Sequence, residues 1–210
     1  MSKWRDDMPG QSGHLHLSLR TADGDQPLFH DGRAEDGLSQ ACRHFIAGLL
    51  ELAPEFLALP AHTVNAYRRL VPGAWAPTHA SWGVQNRTAA LRAIPGTPDQ
   101  TRVEFRVPGA DTNPYLAFAM CLAAGLDGIE RGLEAPPPSA GDCYAETPRE
   151  AAQFPRTLSE AADRLDRSAA ARRVFGAPFG DYFAGSRRRE DAVARAHVPE
   201  WDVRRYLEVV

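Results

Sequence analysis

Thr101-Arg102-Val103-Glu104-Phe105-Arg106-Val107 alternates strictly, with Val103, Phe105 and Val107 on one face and Arg102, Glu104 and Arg106 on the other. A period of two over this length reads as a half-buried strand. The uncommon feature is the charged face, where a carboxylate sits between two guanidiniums. One earlier stretch has the same form: His14 to Arg20 sets Leu15, Leu17 and Leu19 against His14, His16 and Ser18. Ser81 to Arg87 is a third, weaker strand candidate.

Between and after these strands the period changes to that of helices. Leu38, Cys42, Phe45, Ile46, Leu49 and Leu50 recur at spacings of three and four, and the Ala53-Pro54 step should interrupt or kink that helix. Pro60 to Ala80 is rich in Pro, Gly and aromatics and reads as a functional loop. Asn113-Pro114 is a strong helix start, and the nearly continuous apolar run from Tyr115 to Ile129 predicts a helix buried on most sides. Thr157-Leu158-Ser159-Glu160 has the form of a capping box, and helical patterns follow over 181–196 and 199–208. Pro136-Pro137-Pro138 reads as a rigid surface connection, and Arg187-Arg188-Arg189 as a solvated helix face. The sum is an α+β fold: a curved antiparallel sheet, helices packed on one side, and the polar face left open as the site.

Composition bounds the function. The 210 residues are 43% hydrophobic and 24% charged, enough for a substantial core in a soluble globular chain. The formal net charge of −3 gives no basic field for a phosphate backbone, so nucleic acid is not the expected partner. No apolar run is long enough to span a membrane. Cys42, Cys121 and Cys143 are scattered, without zinc-clip or disulfide spacing, which fits a reducing, cytoplasmic home.

The polar residues group into one chemistry. His14 and His16 project from one strand face about 7 Å apart, at a spacing that suits metal ligation or plain hydrogen bonding. Glu104 between Arg102 and Arg106 either stays ionised for a divalent cation or belongs to a cross-strand ion-pair ladder. Arg69, Arg87 and Arg92 add fixed cations of the kind that clamp a phosphoryl group in transfer. No glycine-rich phosphate loop is present, so a nucleotide would not be held on a helix amino terminus.

In order along the chain, Met8-Pro9-Gly10-Gln11-Ser12-Gly13-His14-Leu15-His16-Leu17-Ser18-Leu19, Asn65-Ala66-Tyr67-Arg68-Arg69-Leu70-Val71-Pro72-Gly73, Trp82 to Arg92, Arg102 to Arg106 and Asn113-Pro114-Tyr115-Leu116 resemble motifs of the glutamine synthetase family. The resemblance runs over nearly the whole chain. It implies ATP-dependent ligation, in which a glutamate side-chain carboxylate is phosphorylated and then attacked by ammonia or another amine, with Mg2+ or Mn2+ aligning the phosphates. By motif position, His14 and Glu104 resemble ligands of the metal near ATP. His16 and Ser18 resemble nucleotide contacts, and Arg92 and Arg102 phosphate clamps. Arg69 resembles the grip on the substrate α-carboxylate, with Gly10 adding a backbone contact. Arg87 and Arg106 would brace the phosphoryl group where ATP and the γ-carboxyl group meet. A homo-oligomeric ring is the family's assembly.

Two departures from the family pattern stand out. Ammonia-using members carry a glutamate two residues after the substrate-loop glycine, whereas Gly73-Ala74-Trp75 places a tryptophan there, which implies an acceptor other than ammonia. The whole of 1–210 also resembles only the carboxyl-terminal portion of the catalytic domain, without the amino-terminal β-grasp domain or the domain's first half, and Met1 resembles an internal position. This leaves a second expectation beside the ligase, a truncated non-catalytic partner of full-length subunits, and a third, a stand-alone protein binding a single metal through His14, His16 and Glu104. Tyr144 lies near where some bacterial relatives carry a nucleotidylated tyrosine, although its neighbours differ.

Overall fold

The computed structural model describes residues 1–145 and 151–209. Its elements are β1 (Leu15–Leu17), α1 (Gln40–Phe56), α2 (Val64–Arg69), β2 (Trp82–Val84), β3 (Leu91–Ile94), β4 (Arg102–Phe105), α3 (Pro114–Glu130), α4 (Leu158–Arg167), α5 (Ala169–Phe175), α6 (Ala177–Ala196) and α7 (Glu200–Tyr206). The four strands form one sheet in the order β1-β4-β3-β2. The decisive stretch is thus an inner strand, antiparallel to β1 on one side and to β3 on the other. The α+β class is as expected. The antiparallel expectation is corrected at one edge, where β2 runs parallel to β3 after a turn through Gln85 at φ 54°.

Register explains why the polar face is shared. His16 pairs with Glu104, and Glu104 pairs with Arg92, so the three side chains project from one face of the sheet. The opposite face carries Leu15, Leu17, Leu91, Ala93, Val103 and Phe105, all buried, against a core that includes Phe45, Ile46, Leu49 and Phe56 of α1. β1 is shorter than the alternation predicts; beyond Leu17 only an isolated bridge from Arg20 to Pro27 continues it.

The helices begin where their caps predict. Ser39 accepts from the Cys42 amide at 3.1 Å, Asn113 from Tyr115 at 3.0 Å, and Thr157 from Glu160 at 3.1 Å. Pro54 does not break α1, contrary to expectation. It falls in the last turn, where only the Leu50 carbonyl loses its partner, and the buried Ala53, Pro54 and Phe56 hold that turn in place. The irregular 60–80 segment contains the short helix α2, capped by Thr63. The Pro136–Pro138 connection covers the edge of the sheet: Trp82 Nε1 donates to the Pro136 carbonyl at 2.7 Å and the Ser139 amide to the Trp82 carbonyl at 2.8 Å. The triple arginine of α6 is only partly a solvated face, because Arg187 donates to the His62 carbonyl and Arg188 pairs with Asp163 and Asp166.

α3 corrects the expectation of burial on most sides. One face packs on α1, but Tyr115 is 86% exposed and Phe118, Leu122 and Leu126 lie exposed along the other face. The packed face is built for near-contact of two backbones. A Cβ at Gly48 of α1 would overlap the Ala124 carbonyl oxygen and come to 2.8 Å from the Gly128 amide nitrogen. Neither is the end of a flexible side chain, so the helices would have to separate. Gly48→Ala is therefore expected to cost about 3 kcal/mol, at the upper end for overpacking. The measurement is thermal unfolding, with a drop in Tm of about 6–12 °C; an unchanged Tm would refute this packing.

Candidate functional site

The site is organised by Glu104, which is 4% exposed yet faces four cationic or titratable partners. Its Oε1 lies 2.9 Å from His14 Nδ1 and 3.7 Å from His16 Nε2. Its Oε2 accepts from Arg106 at 3.1 Å and from Arg92 at 3.5 Å. Two of these partners, Arg92 and His16, are themselves held. Arg92 donates to Gln85 Oε1 at 2.6 Å, and Arg102 Nε donates to His16 Nδ1 at 3.1 Å while its NH1 donates to the Gln100 carbonyl at 2.7 Å. With Nδ1 accepting, a neutral His16 carries its proton on Nε2, toward Glu104.

The electrostatics follow from this arrangement. Burial pulls the Glu104 pKa upward, but the charge and hydrogen bond of Arg106, with the two imidazoles, outweigh it, so the pKa lies below the ordinary carboxylate value. His14 shifts downward, first through burial and then through the charge of Arg106, against the opposing pull of Glu104. At neutral pH the cluster therefore presents an ionised carboxylate beside a neutral imidazole. Because His14 binds protons less readily folded than unfolded, it contributes stability that is fully present above pH 6.5 and lost as pH falls below it. His14→Asn is expected to flatten that part of the profile. Urea midpoints between pH 7.5 and 5 check this, and equal slopes in the two proteins would contradict it.

The structure brings His14, His16, Arg92, Arg102, Glu104 and Arg106 into this one cluster. Ser18 lies beyond the end of β1 and is exposed, and Arg87 is exposed on the turn between β2 and β3. Arg69, expected to grip a substrate carboxylate, has its guanidinium against the main chain. It is 3% exposed and donates to the main-chain carbonyls of Gln11 (3.2 Å), Arg106 (3.2 Å), Val107 (3.1 Å) and Pro108 (2.9 Å). Burial lowers its pKa to about 10. Gly10, expected to add a substrate contact, packs on the same side chain: a Cβ there would lie 2.6 Å from Arg69 Cγ. In this structure the pair is a latch beneath the site.

Sequence reasoning missed Gln85 and Asn86. Asn86 Nδ2 donates to the carbonyls of Ser139 at 3.0 Å and Gly141 at 2.9 Å, and its Oδ1 accepts from the Thr88 amide and hydroxyl. It thereby ties the turn carrying Arg87 to the segment leading to Tyr144. The available signal was an Asn following Gln85, the left-handed residue of the turn.

Among the described residues no group of three or more His, Cys, Asp or Glu side chains is disposed around a common metal position. His14 and Glu104 nevertheless form a contiguous nitrogen and oxygen donor pair, neutral and anionic respectively, which fits part of the shell of a divalent cation. Arg92 and Arg106 set two guanidinium charges beside that pair, each with a buried Nε–H that has no partner among the described residues. A metal-bound phosphate is the ligand chemistry that uses both.

Comparison with known proteins gives the family of the chain. The family model "Glutamine synthetase, catalytic domain" matches residues 1–206. The γ-glutamylethanolamide synthetase GlnA4 of Streptomyces coelicolor is 41% identical over 99% of this chain and 43% of its own length. The glutamate–isopropylamine ligase of a Pseudomonas species is 37% identical over 100% of this chain and 46% of its own. Of solved structures, the apo form of GmaS superposes with a TM-score of 0.84 at 36% identity, covering 99% of this chain and 47% of that one. The ADP complex of GmaS gives 0.81 at 37% identity, over 95% and 46%. The chain thus spans less than half the length of these relatives. Family-model coverage, relatives and structural neighbours agree, and the chain belongs to the glutamine synthetase family.

Proposed function

We propose that the chain contributes the phosphoryl-transfer half of an ATP-dependent ligase that joins the γ-carboxyl group of glutamate to ammonia or another amine. The observation that carries this is Glu104, one buried carboxylate shared between an imidazole and two arginines. His14 and Glu104 would hold Mg2+ or Mn2+, with the remaining ligands supplied from outside the described residues. The bound ion would neutralise phosphate charge and polarise the transferred group. His16 and Ser18 face the nucleotide, and Arg92 and Arg102 its phosphates.

In the first step a γ-carboxylate oxygen bonds to the terminal phosphorus of ATP, the bond to ADP breaks, and γ-glutamyl phosphate forms. Arg87 and Arg106 meet the charge spread over the equatorial oxygens. Glu104 holds Arg106 at a fixed angle, so this stabilisation costs little reorganisation during the reaction. In the second step the amine lone pair attacks the acyl carbon, phosphate leaves, and the nitrogen loses a proton. Arg69 and Gly10 support the site from beneath. The acceptor amines printed in the names of two relatives, and Trp75 in the substrate loop, favour an amine larger than ammonia. Three free, buried cysteines are in keeping with a cytoplasmic protein, and among the described residues no helix is long and apolar enough to cross a membrane.

The test is glutamate-dependent release of ADP from ATP with Mg2+ or Mn2+ and a panel of ammonia, ethylamine and putrescine. It is run on the chain alone and on the chain mixed with the amino-terminal half of the Streptomyces coelicolor relative. Release in either format supports the ligase, preference for ammonia removes the larger-amine reading, and silence in both formats overturns the proposal. A second reading, a non-catalytic partner docking on full-length subunits of a ring, draws on the exposed apolar face of α3. Native co-purification with a longer homologous subunit, combined with silence in the assay, would favour it.

A further inference from the structure

Gln85 occupies a conformation that its residue type disfavours. Its backbone takes φ 54°, in the left-handed region where glycine is free and a long side chain is strained. The strain has a topological source. β2 and β3 run parallel but are joined by residues 85–90 alone, whereas a parallel pair ordinarily needs a crossover of about a dozen residues or more. The Gln85 amide donates to the Ala93 carbonyl at 2.9 Å, so the ladder continues to that residue and the chain must turn away at once. Glycine would make this turn without strain, and burial does not account for a glutamine, because the residue is exposed. What the side chain does is accept a hydrogen bond from Arg92 Nη2 at 2.6 Å.

We infer that Gln85 is the positioning residue for Arg92: its neutral amide holds the guanidinium off Glu104 and so reserves its charge for a nucleotide phosphate. The phosphate comes from the ligase reading, on which this rests; the contact does not depend on turnover. Arg92 stands between two acceptors. Its Nη1 reaches Glu104 Oε2 only at 3.5 Å, and Arg106 already serves that oxygen at 3.1 Å. The hydrogen bond to Gln85 is the shorter of the two and is charge-assisted. Without it, Coulomb attraction would draw Arg92 onto the buried carboxylate, and the closer ion pair would consume the charge. Neutrality of the acceptor matters as much as its position. A glutamate at 85 would hold the guanidinium but compensate it, whereas an amide oxygen fixes a cation and leaves its net charge intact. The base of the hold is firm, because the adjacent Asn86 donates to the carbonyls of Ser139 and Gly141 and pins the turn.

The experiment has two readouts. The side-chain amide signals of Gln85 are followed in the nitrogen-labelled full chain, assigned by their loss in Gln85→Gly, and should move in Arg92→Met. ADP with Mn2+ is titrated by calorimetry into the chain alone and into the chain mixed with the amino-terminal half of the Streptomyces coelicolor relative. Gln85→Gly, which relieves the turn, should keep Tm within about 3 °C of wild type and yet weaken ADP about tenfold. In the Arg92→Met background the same change should weaken ADP less than about twofold, because Gln85 acts through Arg92. Gln85→Glu should weaken ADP at least as much as Gln85→Gly, although the hydrogen bond is kept. Amide signals indifferent to Arg92→Met, unchanged ADP affinity in Gln85→Gly, an equal loss in the Arg92→Met background, full ADP affinity in Gln85→Glu or a wild type that binds no ADP in either format would each overturn the inference. If ADP affinity responds as expected but glutamate-dependent ADP release fails, the ligase reading falls and the hold of Gln85 on Arg92 stands.

Discussion

Replacing Glu104 with glutamine is expected to remove most metal binding, about 1000-fold of any ligase activity and a substantial part of the fold's stability. The activity figure is the order of magnitude for losing a preorganised electrostatic contact in transfer chemistry. The stability figure has a separate origin. Glutamine keeps the shape but leaves Arg92 and Arg106, whose side chains are 17% and 12% exposed, facing each other without an anion. Breaking a buried charge pair by removing one partner costs about 3–5 kcal/mol, or about 10 °C in Tm for a chain of this size. Acid should imitate the mutation. Because the Glu104 pKa is depressed in the fold, its contribution is present above the ordinary carboxylate value of 4.5 and lost as pH falls through the lower folded value. Wild type and Glu104→Gln should therefore converge in stability at low pH. Thermal unfolding from pH 7 to 3, with a Mn2+ titration at pH 7, makes the comparison. A variant with wild-type Tm and wild-type Mn2+ affinity would remove Glu104 from the centre of the site.

The cluster around Glu104 was legible because alternation is a geometric code: once β1 and β4 were read as strands, His14, His16, Glu104 and Arg106 had to share a face. Arg92 joined the list as one of three fixed cations, not through the period of its strand. Leu91-Arg92-Ala93-Ile94 holds a single apolar-polar-apolar repeat before Pro95-Gly96, too short for a period to declare itself. α5 escaped for the same reason, since Ala169 to Phe175 gives only two turns and one buried residue. The α3 reading failed differently. An all-round apolar helix predicts burial, and among the described residues only one face of α3 is covered. Arg69 was the hardest position to read. Nothing in a sequence distinguishes a guanidinium aimed at a ligand from one spent on carbonyls brought close by tertiary folding.

That last distinction has a direct test in Arg69→Met. If Arg69 is the latch described above, methionine fills part of its volume but abandons the carbonyls of residues 106, 107 and 108, whose amides and carbonyls must leave β4 in register for Arg106 to meet Glu104. Buried acceptors left unsatisfied cost about 1–3 kcal/mol each, and because the Pro108 carbonyl keeps the Gly13 amide at 2.9 Å the total should stay near 3 kcal/mol. The loss should appear as a lowered Tm with no ligand present, together with weakened Mn2+ binding at a site the side chain does not touch. A residue that only grips a substrate carboxylate would leave both unchanged and alter the response to glutamate alone. Gly10→Ala provides the second arm, because a Cβ at position 10 would press on Arg69 Cγ and Cδ at 2.6 and 2.8 Å. If the two residues act as one unit, the glycine variant should lower Tm by itself, and the double variant should lose less than the sum of the two. Additive losses would mean that Gly10 is constrained by the Ser2 carbonyl, which its Cβ would also meet at 2.6 Å, and not by Arg69. The latch therefore makes Arg106 alignment depend on a residue pair brought together from opposite ends of the site, with Gly10 ahead of β1 and Arg69 closing α2.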